Sequence, residues 1–377
     1  MFRKMPFILL ALMVLIGVLH PWIPLELQSV LYSISLSIKS VIIFALPLII
    51  FGLLFKTAVG LARDATKTIL FILAAICASN FLSTMISYSV GTIAYQFDLS
   101  MPFPNQGAEL QPAWSLFLPN WIGNGQAMLA GLILGVVLGR WKPAFANAAA
   151  ARLDWVVGRI LKGFMFVIPL FISGFVVKMY HDKVMGHIVQ NFGLIFALIA
   201  CALFAYISLI YFLASRNGGA SFGQSLKNMM PAAIAGFGSM SSAAAMPLTL
   251  LGAEKNSRNP DLARSIIPAT VNIHLIGDCF AIPIFAFAVL KSFGVAEPAF
   301  MSYLIFACYF VMAKFSVTAV PGGGILVMLP ILESYLGFDA TMLSLITALY
   351  ILFDPIITCA NVLGNGGFAM GLSMYKK

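Results

Sequence analysis

The last apolar stretch of the chain, residues 347–367, carries polar side chains at helical spacing. Four of them fall at positions i, i+4, i+7 and i+11 and so share one face of a helix: Asp354, Thr358, Asn361 and Asn365. A carboxylate at membrane depth costs about 3 kcal/mol, so Asp354 is a functional-site candidate by default. Carboxylate, hydroxyl and amide oxygens together suit a small zwitterion or a hard cation. The alternative is structural: Asp354 would pair with a buried lysine while the amides hydrogen-bond between helices.

The composition places this face inside a lipid bilayer. The chain has 377 residues, of which 61% are hydrophobic and only 9% charged, and its mean hydropathy is +0.99. No soluble core needs so much apolar sequence, so we predict an all-α polytopic membrane protein. The net charge of +9 then reflects the cytoplasmic enrichment of Lys and Arg, and no nucleic-acid partner is expected.

The cysteines and histidines do not predict a metal or catalytic centre. All five cysteines lie in apolar runs without metal-ligand spacing, and we expect them to be free packing thiols: Cys77, Cys201, Cys279, Cys308 and Cys359. The four histidines are scattered: His20, His181, His187 and His274. We therefore expect no cofactor and no metal site, and a membrane enzyme is not favoured.

Six spanning helices are predicted in the first part of the chain, over residues 6–20, 27–54, 68–95, 124–139, 160–179 and 188–214. No small-residue cleavage site follows the first apolar run, so we interpret it as a span rather than a signal peptide. The proline-rich segment 98–119 has acidic but no basic residues and is predicted to be an outer loop. Basic residues follow the even-numbered spans, which places both termini in the cytoplasm and indicates a plasma (inner) membrane.

The second half of the chain is broken where a simple span would be continuous. Prolines, glycines and serines interrupt residues 231–251, and a proline–glycine run interrupts residues 300–336, so both segments are predicted to be re-entrant hairpins. The span between them, residues 262–290, is interrupted by polar residues near its centre. Irregular backbone at membrane depth is tolerated only where it is buried or lines a cavity, and paired interruptions indicate a transporter binding site. A simple flexible turn is the alternative for the glycine run.

Four motifs give these segments a family resemblance. They are Ser-Ser-Ala-Ala-Ala-Met-Pro at 241–247, Val-Pro-Gly-Gly-Gly at 320–324, Asn-Gly-Gln at 124–126 and Ala-Asn-Val-Leu-Gly-Asn at 360–365. Together they resemble the dicarboxylate/amino acid:cation symporters, which have the glutamate-transporter fold. The resemblance implies eight transmembrane helices, two re-entrant helical hairpins and a homotrimer.

The resemblance also implies that the chain is divided into a scaffold domain and a transport domain. Residues 1–66 would form scaffold helices 1 and 2, residues 67–97 helix 3 of a transport domain, and residues 98–180 the outer loop with scaffold helices 4 and 5. Residues 181–377 would complete the transport domain, which would cross the membrane as a rigid unit in an elevator-type movement. The second hairpin would gate its site.

Substrate-binding residues are implied by the same motifs. Asp354 would bind an amino group, Thr358 a side chain and Asn361 the α-carboxylate. The hairpin tips would contribute Ser241, Ser242, Val320 and Gly322. Acidic-substrate members carry an arginine where this chain has Ile357 or Met240, and neither residue can hold a carboxylate bidentately. A neutral amino acid is therefore favoured over glutamate or a C4 dicarboxylate.

The cation sites implied by the resemblance have lost most of their negative charge. His274, Asn365 and Tyr350 stand where the family has carboxylates, which disfavours Na⁺. Lys314 lies near a further sodium position, where its ammonium would stand in for the ion, unless its side chain reaches the membrane surface instead. Asp278 would compensate in part if the alignment shifts by four residues. The candidate cation-coupling residues are Thr270, Asn272, His274, Asp278, Lys314 and Asn365.

We therefore expect a symporter of amino acids or related carboxylates that is coupled to H⁺ rather than Na⁺. His274 carries this expectation because histidine titrates near neutrality, although it would equally serve as a neutral, hydrogen-bonded core residue. The alternatives are an uncoupled facilitator or channel-like relative, and a Na⁺-coupled dicarboxylate or glutamate symporter.

Overall fold

The computed structural model describes residues 5–64, 67–97, 110–119, 121–182, 185–216, 219–317 and 322–373. Within these ranges the chain is mostly helical and contains no strand. The helices are α1 (Met5–Leu19), a 3-10 turn (His20–Trp22), α2 (Leu25–Asp64), α3 (Lys67–Tyr95), α4 (Asn124–Trp141), α5 (Pro143–His181), α6 (Met185–Arg216), α7 (Phe222–Ser239), α8 (Ser242–Asn256), α9 (Pro260–Thr270), α10 (Ile276–Ser292), α11 (Phe300–Lys314), α12 (Gly323–Leu336) and α13 (Ala340–Leu372).

Three helices in the described ranges are long and apolar enough to cross a membrane: Leu70–Tyr95, Phe192–Arg216 and Ala340–Leu372. They differ in where they lie. The most apolar part of α13 is 78% buried inside the protein, whereas that of α6 is 22% buried. A polar face on α13 is therefore surrounded by protein, while α6 turns most of its apolar surface outward.

The boundaries predicted for the first six helices hold within a few residues except in α2 and α5. These helices have 40 and 39 residues, about 60 Å each and twice the thickness of the hydrocarbon core. The prediction that the fifth helix begins at residue 160 was wrong, because α5 begins at Pro143. Its first turns are rich in alanine and favour a helix without being apolar enough to mark a span.

The helices pack in two groups. In the first, α2 lies against both α4 and α5. The α2–α4 contact is close because a Cβ added at Gly131 would lie only 2.8 Å from the carbonyl oxygen of Phe51. In the second, α13 contacts α6, α7, α8 and α10, while α3 packs against α10 and α11. The polar face of α13 belongs to this second group.

In the segment of the first predicted hairpin, α7 and α8 pack against each other and are joined at Met240 and Ser241. Met240 is buried and has the left-handed φ of +51°. This backbone conformation is uncommon for a residue with a side chain. Ser241 caps α8 by accepting a hydrogen bond from the backbone N–H of Ala244.

The other two interruptions also lie where they were predicted. The seventh predicted span is broken between Thr270 and Ile276, the end of α9 and the start of α10. The second hairpin consists of α11 and α12, and Gly322 precedes α12 with a φ of +71°. Residues 318–321 of its tip, including the candidate Val320, lie outside the described residues.

The prediction that all five cysteines pack inside the protein holds only in part. All five are unpaired, and Cys279 is buried. Cys201 and Cys308, by contrast, lie exposed on α6 and α11.

Candidate functional site

The carboxylate of Asp354 lies in the middle of α13 and is only 3% exposed. Its Oδ2 accepts a 2.9 Å hydrogen bond from the backbone N–H of Gly322, at the tip of the second hairpin. Its Oδ1 accepts the hydroxyl of Thr358 at 3.1 Å. The predicted alternative, a pairing of Asp354 with a buried lysine, is not what the described residues show, because Lys314 pairs with Asp278.

Asn361 connects α13 to the broken span. Its Oδ1 accepts a 2.8 Å hydrogen bond from the backbone N–H of Gly277, in the first turn of α10. An N–H in that turn has no partner within its own helix, so Asn361 satisfies a buried donor. Gly277 also lies close to Ile357, because a Cβ there would be 3.1 Å from the carbonyl carbon of Ile357.

His274 lies inside the break and bridges α3 and α13. Its Nδ1 is 2.8 Å from Oδ1 of Asn365, and its Nε2 is 2.9 Å from Oγ of Ser79. An amide oxygen only accepts, so in this arrangement the Nδ1 of His274 donates and its Nε2 accepts the hydroxyl of Ser79. The ring is fully buried and lies against Phe368, with ring centroids 4.3 Å apart.

Asn80 holds the backbone on both sides of His274. Its Nδ2 donates to the carbonyl of Ile273 at 2.7 Å, and its Oδ1 accepts the N–H of Leu275 at 3.2 Å. The break therefore has side-chain partners for backbone groups that no helix satisfies. Sequence reasoning missed Ser79 and Asn80, although α3 carries a polar stripe at helical spacing that pointed to them: Asn80, Ser83, Thr84 and Ser87.

An ion pair lies between the second hairpin and α10. Nζ of Lys314 is 3.3 Å from Oδ2 of Asp278, and both side chains are at most 2% exposed. The hydroxyl of Tyr350 donates to Oδ1 of Asp278 at 2.6 Å. The burial of Lys314 excludes the alternative in which its side chain reaches the membrane surface.

Gly324 brings the other arm of this hairpin onto the same carboxylate. A Cβ at Gly324 would lie 3.0 Å from each carboxylate oxygen of Asp278. The residue is in the first turn of α12. The end of α11 and the start of α12 therefore both contact the pair formed by Asp278 and Tyr350.

The remaining candidates lie in different surroundings. Thr270 is buried and donates to the carbonyl of Ile267, within its own helix. Asn272 is exposed, and the structure does not bring it into the buried network around His274. Ser242 is 4% exposed at the start of α8, which packs against α13. Ser241, at the same tip, is half-buried.

The described residues contain no group of three or more His, Cys, Asp or Glu side chains arranged to hold a metal ion. The buried polar set is instead built from single carboxylates, amides, hydroxyls and one ammonium. Such a set can bind a small polar solute at Asp354 and can carry a proton at His274.

A protein-family model, described as the sodium:dicarboxylate symporter family, matches residues 5–374, nearly the whole chain.

Proposed function

The chain belongs to the sodium:dicarboxylate symporter family, and from that premise we propose that it is a secondary active transporter for a small neutral amino acid or a related carboxylate, coupled to H⁺ rather than Na⁺. The family is one of cation-coupled symporters and not a class of enzymes. The observation that carries the proposal is the buried carboxylate of Asp354, which meets the second hairpin at Gly322 and shares its helix face with Thr358 and Asn361.

Asp354 is the group that favours a substrate with an ammonium. It is the only charged residue within α13, and each of its oxygens accepts one hydrogen bond. Each oxygen therefore keeps a lone pair for another donor. A substrate ammonium would compensate a charge that is expensive to bury alone. The substrate carboxylate would lie at the start of α8, where Ser242 and the positive end of the helix favour an anion.

Ile357 supports a neutral substrate side chain. The residue is fully buried in the apolar core beside the polar face. An aliphatic side chain offers no donor to a second carboxylate, which would then be buried without a partner. Glutamate and C4 dicarboxylates are therefore disfavoured.

His274 supports coupling to protons. Both of its ring nitrogens face an oxygen, Oδ1 of Asn365 and Oγ of Ser79, and both oxygens can accept. The imidazolium form would donate to both once the hydroxyl hydrogen of Ser79 turns away from Nε2. Sodium prefers anionic oxygen ligands, whereas this part of the site presents an imidazole, an amide and a hydroxyl.

The elevator-type movement and the homotrimer are further parts of the proposal. Helices α1, α2, α4 and α5 would form the scaffold, and α3 with α6 to α13 the transport domain. The hydrogen bonds from Asn80, His274 and Asn361 support a rigid unit, because they join α3, the α9–α10 break and α13. The protein would lie in the plasma (inner) membrane with cytoplasmic termini.

The experiment is counter-flow in proteoliposomes. Proteoliposomes that contain the purified protein are loaded with an unlabelled neutral amino acid, and the labelled compound is added outside. Saturable accumulation of the label inside the vesicles is expected. With substrate equal on both sides, an inward proton gradient should drive uptake and an inward sodium gradient should not. Uptake that follows sodium and ignores the proton gradient would favour a Na⁺-coupled dicarboxylate or glutamate symporter.

An uncoupled facilitator is the second candidate, and the ion pair between Lys314 and Asp278 favours it. This pair compensates a buried carboxylate without any mobile ion. In that case counter-flow would be retained while neither gradient drives accumulation.

A further inference from the structure

The second hairpin contacts α10 through an ion pair in which both charges, those of Lys314 and Asp278, are side chains of the protein. Lys314 is the last residue of α11, and Asp278 lies in the first turn of α10. A helix C-terminus favours positive charge and a helix N-terminus favours negative charge. The two helix ends therefore favour a cation and a carboxylate where these side chains lie.

The ammonium of Lys314 is held as a free cation would be held. It lies 3.3 Å from Oδ2 of Asp278 and 4.4 Å from the centroid of the Phe310 ring. Its Nζ makes no hydrogen bond with the described residues. Charge and the face of an aromatic ring hold it, and neither interaction depends on its covalent attachment.

The carboxylate that receives this cation also lies close against the other arm of the hairpin. Oδ1 of Asp278 accepts the hydroxyl of Tyr350, and Gly324 leaves no space for a side chain beside both carboxylate oxygens. Without a cation, the uncompensated negative charge of Asp278 would lie next to both the start of α12 and the end of α11. The position of the hairpin therefore depends on a cation at this point.

We propose that Lys314 is a tethered monovalent cation that holds the second hairpin on the transport site, so that the hairpin closes without a mobile ion. The inference deepens the proposed function and rests on it. It also predicts a new site: without the lysine side chain, the space beside Asp278 becomes a binding site for a small monovalent cation such as NH₄⁺ or Na⁺.

Three variants separate the effect of the Asp278 charge from the effect of the space left by the Lys314 side chain. Lys314→Ala leaves both the carboxylate and the space, and Lys314→Met leaves the carboxylate but fills the space. The double variant Lys314→Ala with Asp278→Asn leaves the space without the charge. Thermal unfolding of the purified, substrate-free proteins is compared in ammonium, sodium and choline chloride at equal ionic strength.

Only Lys314→Ala is expected to melt at a higher temperature in ammonium or sodium than in choline. The rise should saturate with ion concentration and reach about 3 °C or more, because the ion binds the folded state alone. Equal melting in the three salts would overturn the proposal, as would the same rise in Lys314→Met or in the double variant. If Lys314→Ala is recovered only in ammonium and unfolds on exchange into choline, the result supports it.

The unmodified protein provides a second arm if Lys314→Ala is recovered in no salt. Its melting temperature is expected to be the same in sodium and in choline, and a saturable rise with sodium would overturn the proposal. No arm requires substrate or an ion gradient. A failure of counter-flow would therefore count against the proposed function while the melting curves still decide the role of Lys314.

Discussion

The backbone N–H of Gly322 donates a 2.9 Å hydrogen bond to Oδ2 of Asp354. The group that would bind a substrate ammonium is thus also the group that holds the tip of the second hairpin. Substrate binding and the position of the hairpin would therefore depend on the same carboxylate. A change at Asp354 or Gly322 should alter both.

Asp354→Asn is expected to remove substrate binding and to leave the fold intact. The amide can still accept from Gly322 but no longer compensates an ammonium charge, so we expect affinity to fall by at least tenfold, about 1.4 kcal/mol. Substrate-induced thermal shifts of the purified protein measure this. Asp339→Asn is the matched control, because Asp339 only caps the start of α13 and asparagine also caps well. Equal binding by Asp354→Asn and the parent would refute the role given to Asp354.

His274→Gln is expected to uncouple transport from the proton gradient. Glutamine can hydrogen-bond to Asn365 or Ser79 but cannot carry a proton at physiological pH. Counter-flow should persist, while the stimulation of uptake by an acidic exterior should disappear. His181→Gln, which changes a histidine bonded to Gln28, should keep the stimulation. Proton-driven accumulation by His274→Gln would show that another group carries the proton.

Gly324→Ala is expected to displace the second hairpin. The new methyl group would lie 3.0 Å from both oxygens of Asp278, and such overpacking costs about 1–3 kcal/mol. The melting temperature and the transport rate should both fall. Gly193→Ala is the control, since a Cβ at Gly193 meets nothing within 4 Å. A Gly324→Ala protein with parental stability would mean that Asp278 and the hydroxyl of Tyr350, which lies closer still, both move aside freely.

Asn80→Ala is expected to destabilise the break between α9 and α10. It would leave the carbonyl of Ile273 and the N–H of Leu275 without a partner, at about 1–3 kcal/mol for each buried group. Thr92→Ala on the same helix should change stability by less than about 0.5 kcal/mol, because Thr92 is only half-buried and its exposed hydrogen bond stays within α3. Thermal unfolding compares the two variants, and equal melting temperatures would argue against this role of Asn80.

The interruptions of the helices could be predicted from the sequence because they occur at particular residue types. Proline and glycine leave few alternatives to a hairpin tip, and the residues around Met240 and Gly322 turn where those types occur. The shared face of Asp354, Thr358 and Asn361 followed from spacing alone, and all three side chains are buried.

Partners across helices could not be predicted in the same way. His274 and Asn365 are 91 residues apart in the chain, and periodicity shows which face is polar but not what lies opposite. The pairing of Lys314 with Asp278 rather than Asp354 depends on where α11 ends relative to α10. Asn272 shows the same limit: it is two residues from His274, yet a break in the helix turns it to the surface.

Pro355 immediately follows Asp354 within α13. A proline has no N–H, so the carbonyl of Ile351, four residues earlier, lacks its usual donor in the helix. The backbone therefore adds an electron-rich oxygen about one turn from the carboxylate, and no side-chain substitution at position 351 can take it away. The residue after Asp354, and not residue 351 itself, therefore decides whether this carbonyl has a donor in the helix.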